Sequence, residues 1–166
     1  YAYTGLKDTL GDAALAALHR YTTLHSANLT EATHSEQIVE FSPQEGLLVH
    51  GRIDLISQRD TGIVRLIDFK SSNRAQSEDI TEAQLNVYAA GYEDLMGHLP
   101  DIIEVCNLDP KGKAIQTPVE RANVKATIDQ VNIAATSIRR SEFPRVDLSS
   151  GACGTCGMRG ICRKSA

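Results

Sequence analysis

Arg52, Asp54, Asp68 and Lys70 punctuate residues 51–70, GRIDLISQRDTGIVRLIDFK, within two runs that have the largely apolar character of buried strands. A hairpin centred on Thr61 places Asp54 opposite Asp68, with Cβ atoms roughly 4.5–5.5 Å apart. Side chains alternate along a strand, so Lys70 shares the face of Asp68 and Arg52 that of Asp54, and four charges converge on one patch. Two facing carboxylates repel each other and destabilise the pair unless a cation lies between them. Oxygen ligands at that spacing suit Mg²⁺ or Mn²⁺. The plainer reading is cross-strand ion pairing, Asp54 with Lys70 or Arg52 with Asp68, on a solvated face. Ile53 and Leu55 around Asp54, and Val64, Leu66, Ile67 and Phe69 around Asp68, favour a strand pair covered on both sides, where charges require partners or a metal.

The surrounding elements must hold these residues in register. Leu10, Ala14, Ala17, Leu18 and Tyr21 give residues 6–26 the spacing of an amphipathic helix. Residues 36–41 read as a strand, and residues 47–57 and 63–70 as the two arms of the hairpin. A polar loop at 71–77 leads into a helix over 78–97, a strand over 101–108 and a weaker strand over 114–119. Val124, Ile128, Val131, Ala135 and Ile138 mark one face of a last long helix, which Pro144 ends. The order predicts an α/β domain, a mixed central sheet flanked by helices.

With 166 residues, 42% hydrophobic and 23% charged, the chain suits a single domain over 1–166 with a core of its own. It has neither an apolar run of transmembrane length nor a signal-peptide pattern, so the expectation is a cytoplasmic protein without membrane contact. The first residue is Tyr1 rather than methionine, which suggests a piece of a longer protein. Residues 1–107 carry 7 basic and 16 acidic side chains and 108–166 carry 10 and 5, a division compatible with an anionic partner or with a solvated helical surface. No phosphate-binding Gly-x-x-x-x-Gly-Lys motif occurs, so ATP is not expected to bind here.

The set GRID (Asp54), IDFK (Asp68, Lys70) and QLNVY (Gln84, Tyr88) resembles the PD-(D/E)XK nuclease superfamily, and within it the RecB-like branch. The resemblance implies a restriction-endonuclease-like core and metal-dependent hydrolysis of DNA phosphodiesters. Asp54, Asp68 and the Phe69 main-chain carbonyl would hold Mg²⁺ or Mn²⁺, and Lys70 would orient the attacking water. Gln84 and Tyr88, four apart on one helical face, would contact the substrate or order the metal shell. Arg52, Arg159, Arg163 and Lys164 would meet phosphates.

The tail at 150–166 adds a second sign. Cys153, Cys156 and Cys162 are spaced by two and five residues, and in a reducing compartment such spacing means metal more often than disulfide. The triplet is similar to the C-terminal cysteines of AddB-type RecB-like nucleases, which implies a [4Fe–4S] cluster whose fourth ligand lies ahead of Tyr1. A zinc site of three cysteines and a histidine, or plain thiols, is the alternative. Cys106, in an apolar run, reads as a packed strand cysteine. The wording of both motif sets is most similar to the nuclease domain at the C-terminus of bacterial UvrD/Rep-type helicases, which implies a covalently linked helicase and a role in DNA repair.

One departure concerns the first helix, where RecB-like nucleases often carry a metal-binding histidine and LGDAALAALHRY has alanines and leucines. His19 is a candidate with a shifted register. His50 shares the face of Asp54 by strand parity, Glu40 offers an alternative carboxylate, and His25 and His34 fall near loops. The departure favours a rival reading, a non-catalytic DNA-binding module that keeps the fold and uses the cysteines as a clasp. Intact Asp54, Asp68 and Lys70 favour the enzyme. An iron–sulfur redox module has only the triplet behind it.

Overall fold

The computed structural model describes residues 4–70, 78–108, 112–143, 146, 151, 153–154 and 156–162. In chain order the elements are α1 (Thr4–Leu24), α2 (Ser26–Thr30), β1 (Ala32–Gln44), β2 (Leu47–Gln58), β3 (Val64–Lys70), α3 (Glu78–Met96), β4 (Ile102–Asn107), β5 (Ala114–Pro118), α4 (Arg121–Arg139) and α5 (Arg159–Cys162). Two compact units divide them, Tyr1–Asn132 with the sheet and Ile133–Ala166 with the end of α4 and α5.

The five strands form one mixed sheet in the order β1-β2-β3-β4-β5. Three neighbouring pairs are antiparallel and β3 runs parallel to β4, so that pair requires a crossover, which α3 supplies. The α/β architecture is the one the element order implied. In the hairpin, Leu55 pairs with Ile67 and Gln58 with Val64, a register centred on Thr61.

Alternation along β3 divides the sheet into two faces. Val64 and Leu66 join Val39, Ile53, Ile56 and Tyr92, with Tyr88 packed against them, on the α3 side. Ile67 joins Tyr21, Leu55 and Cys106, with Phe69 against them, on the α1 side. Leu85 and Ala89 of α3 continue the first core onto Ile103 and Val124. Helix α3 can lie this close to β1 because position 91 is glycine: a Cβ there would stand 2.7 Å from Cγ2 and 2.8 Å from Cβ of Val39.

Three expectations change. The first strand is longer than residues 36–41 and follows β2 along its length. Glu36, across from Asp54, has φ 53, and Ile53 and Ile56 meet in one cluster although residues three apart on a regular strand face opposite ways. The strand pair therefore coils at this point. On α1 the apolar stripe is mostly uncovered: Leu6, Leu10, Leu15, Leu18 and Leu24 are exposed, and Tyr21 is the residue that the sheet buries. Helix α4 ends at Arg139. The loop at 71–77 and Pro144 lie outside the described residues.

Candidate active site

At the C-terminal end of β3, Asp68 and Lys70 project toward the N-terminal half of α3, as strand parity requires. Asp68 is buried, 4% exposed, and the Lys70 side chain is 20% exposed. Lys70 Nζ donates to Asp68 Oδ1 at 3.2 Å and lies 2.9 Å from Oδ2. It also donates to Gln84 Oε1 at 2.7 Å, and Gln84 Nε2 donates in turn to the Tyr88 hydroxyl at 2.7 Å. An acid, a cation, an amide and a phenol thus form one continuous chain of hydrogen bonds from β3 to α3. The i, i+4 spacing of Gln84 and Tyr88 is what lets the helix supply its last two members. Tyr88 is further fixed by Gly51 of β2, whose missing side chain leaves room for the ring: a Cβ there would stand 3.1 Å from Tyr88 Cε1.

Asp54 acts on the same strand end by another route. Its Oδ2 accepts the Phe69 backbone N–H at 2.8 Å, so the carboxylate stands where a ladder partner would otherwise sit, next to the last pair Leu55 and Ile67. The Phe69 ring packs edge-on against Tyr21, with centroids 4.9 Å apart and planes at 85°, and this holds the peptide from the other face. The Lys70 carbonyl accepts the Leu108 N–H at 2.9 Å, which ties the end of β3 to the chain after β4.

The electrostatics set Asp68 apart. Burial raises its pKa above the ordinary carboxylate value; the Lys70 hydrogen bond and charge pull it down, and the Asp54 charge pushes it up again. Apart from the Lys70 ammonium 2.9 Å away, buried Oδ2 has no hydrogen-bond partner among the described residues. A buried carboxylate oxygen with only a lysine beside it, near a second carboxylate, fits a divalent cation with oxygen preference. The residues that the sequence nominated for Mg²⁺ or Mn²⁺ fit that ion on this ground.

Other nominated residues lie elsewhere. Arg52 does not join the cluster: the coil at Asp54 turns it outward, and it pairs with Glu36 at 2.7 Å with both side chains more than half exposed. His50 and Glu40 form an exposed cross-strand pair at 3.7 Å. His19 is exposed on α1, His34 is exposed on β1, and His25 stacks on Tyr21 on the far side of the sheet. In the second unit Cys153 is half-buried and Cys156 and Cys162 are exposed. Arg159 opens α5, and Arg163 and Lys164 lie outside the described residues. Sequence reasoning missed the buried Arg65 and Glu104, although an acid inside IIEVC and an arginine inside IVRLI were visible signals of buried pairing.

The chain matches the PD-(D/E)XK nuclease superfamily over residues 3–163. No curated protein sequence matches it. Among solved structures it is similar to a protein from Eubacterium rectale that carries the provisional name exonuclease, at 13% identity and a TM-score of 0.57, over 92% of this chain and 60% of that one. It is also similar to a protein named SSO0001, at 19% identity and a TM-score of 0.51, over 96% of this chain and 72% of that one. At these identities the two structures bear on the fold. No helix among the described residues is long and apolar enough to cross a membrane.

Proposed function

Because the chain belongs to the PD-(D/E)XK nuclease superfamily, we propose that it hydrolyses DNA phosphodiesters with the help of Mg²⁺ or Mn²⁺, as the nuclease part of a longer, RecB/AddB-like helicase–nuclease acting on DNA ends in repair. The observation that carries this reading is the hydrogen-bonded chain Asp68–Lys70–Gln84–Tyr88 together with the buried Asp68 Oδ2, which among the described residues has no partner but Lys70. Asp54, Asp68 and the Phe69 carbonyl would hold the ion. When bound, it supplies Lewis-acid polarisation of a phosphoryl oxygen.

The chain's own residues do the rest. Gln84 and Asp68 hold the Lys70 ammonium from two sides, so its charge is in place before substrate arrives and needs no reorganisation as negative charge develops on the phosphoryl oxygens. Lys70 can give a hydrogen bond to an attacking water and orient it. Asp54, by fixing the Phe69 N–H, sets the direction of the peptide groups at the end of β3. Tyr88 and Gln84 present polar atoms to the nucleotide, and Arg52, Arg159, Arg163 and Lys164 provide positive charge for the backbone phosphates. Cys153, Cys156 and Cys162 would hold a [4Fe–4S] cluster with a ligand from outside this chain, in a cytoplasmic protein.

One observation favours a second reading, a DNA-binding module without hydrolysis: His25 is engaged with Gly112 and Tyr21 on the far side of the sheet, and His19 is exposed on α1. The experiment that separates the two is cleavage of end-labelled DNA by the chain, with and without Mn²⁺. The expected result is metal-dependent product, absent in Asp68→Asn. DNA binding with no product at any metal concentration selects the second reading.

A further inference from the structure

On the face of the sheet turned away from Lys70, β4 buries Glu104 and Cys106, each 1% exposed, and His25 reaches them from the junction of α1 and α2. A ring nitrogen of His25, a carboxylate oxygen of Glu104 and the sulfur of Cys106 all lie within 4.8 Å of one another. The acid and lysine chemistry uses none of the three.

Each group is set up to donate a lone pair. His25 Nε2 stands 3.1 Å from the Gly112 carbonyl, and a carbonyl can only accept, so Nε2 carries the proton and Nδ1 keeps its lone pair. A histidine fixed through one nitrogen by a main-chain carbonyl is the usual arrangement of a metal-binding imidazole. Stacking on Tyr21, with centroids 5.3 Å apart and planes at 28°, holds the ring plane. Glu104 Oε1 accepts one hydrogen bond, from Asn28 Nδ2 at 3.0 Å. Oε2 accepts two, from Arg65 Nη1 at 3.2 Å and Gln116 Nε2 at 2.7 Å. A carboxylate offers about four lone-pair sites, so one remains on Oε1. Tyr21, 7% exposed and packed against Cys106, has a buried hydroxyl that the Asn28 amide approaches and that lies close enough to Cys106 and Glu104 to feel their charges.

We propose that His25, Glu104 and Cys106 form a second metal site, for a borderline divalent ion of the zinc class, with the Tyr21 hydroxyl beside it as the fourth donor. Nitrogen, sulfur and oxygen donors together suit Zn²⁺ rather than the hard ions that the all-oxygen set Asp54 and Asp68 selects. Donors in a tetrahedral zinc site stand about 3.3–3.8 Å apart, so the group has to close by about 1 Å, within the reach of side-chain rotation. Burial, with Glu104 adding to it, pushes the Cys106 thiol pKa up to about 11. The thiol therefore carries its proton at neutral pH, and coordination forms the sulfur–metal bond and releases that proton to solvent. The ion would tie the α1–α2 junction to β4.

The test uses the full chain with Cys153→Ser, Cys156→Ser and Cys162→Ser, which leaves Cys106 as its one thiol, stripped with a chelator and titrated with Co²⁺. The expected result is one equivalent bound, with a thiolate-to-cobalt charge-transfer band in the near ultraviolet, and a higher melting temperature on adding Zn²⁺. His25→Ala should weaken cobalt binding at least tenfold, and Cys106→Ser should abolish the band. Absence of the band in the triple variant overturns the proposal, and so does a band that His25→Ala leaves unchanged. If Cys106→Ser does not fold, His25→Ala, at a half-buried position, decides alone.

Discussion

Two buried carboxylates lie on neighbouring parallel strands, Asp68 on β3 and Glu104 on β4, and they face opposite sides of the sheet. Glu104 accepts hydrogen bonds from Asn28 of α2, Arg65 of β3 and Gln116 of β5, and Arg65 is held in turn by Glu31 at 2.7 Å. Among the described residues Asp68 has one cation, shared with Gln84, a like charge nearby in Asp54, and an oxygen with no partner but that cation. Burial is common to both acids; what differs is how far their partners satisfy them. A carboxylate with donors from three elements fastens those elements together. One left short is held in an unfavourable state by the rest of the fold, which is how acids that await a cation or a substrate are kept.

The largest test of this contrast is Asp68→Asn. Cleavage should fall to background, while the metal-free protein unfolds at the same temperature or higher. Because burial raises the native pKa of Asp68 above its ordinary 3.8, ionising it opposes folding. The stability of the wild type relative to Asp68→Asn should therefore be greatest below pH 3.8, fall as the pH rises through the raised native pKa, and then level off. Denaturant melts of both proteins across that range measure it, and a difference independent of pH would break the comparison.

Glu104→Ala should show the opposite behaviour. Removing it leaves the Arg65 charge buried beside only Glu31, and the expected loss is about 3–5 kcal/mol in urea unfolding. A loss below about 1 kcal/mol would mean that the network does not fasten the elements. Lys70→Met should reduce single-turnover cleavage by about two to three powers of ten, the effect of removing one preorganised charge-stabilising donor. A fully active Lys70→Met protein would reduce the lysine to an ion-pair partner.

Gly91→Ala sharpens the contrast from the side of the helix. The added methyl meets Val39 and should cost about 1–3 kcal/mol, and by lifting α3 it should slow cleavage more than it disturbs the Glu104 face. The smallest effect belongs to Arg52→Ala. Its exposed pair with Glu36 contributes under about 1 kcal/mol, so thermal stability should hardly move, while DNA affinity falls modestly with a shallower salt dependence.

Much of this arrangement could be read from the residues. A polar turn between two apolar runs fixed the hairpin centre and the pairing of Leu55 with Ile67, because register errors would turn Leu66 and Ile67 to the wrong sides; beyond that pair the ladder ends, and Asp54 reaches Asp68 only through its charge. The partner of Lys70 could not be read. Sequence parity offered Asp54, but Asp54 is occupied by the Phe69 N–H, a backbone demand that appears only where the ladder ends. Arg52 was misdirected by the coil at Glu36 and Asp54, since strict alternation fails where the backbone leaves the extended region. The apolar stripe on α1 read as a buried face, yet periodicity shows only that a helix has such a face and says nothing of what covers it.

The sequence distances within the two carboxylate networks carry a kinetic consequence. The acid–lysine cluster closes over separations of 15, 14 and 4 residues, whereas the Glu104 network joins Asn28 to a residue 76 positions away. Loop closure over the shorter separations costs less chain entropy, so β2, β3 and the start of α3 can meet early, before β4 slots in beside β3. Substitutions at Glu104 should then act mainly on the unfolding rate and those in the β2–β3 hairpin mainly on the folding rate. The acid–lysine cluster would be assembled first, on a hairpin and a helix, and locked only when the last long-range strand arrives.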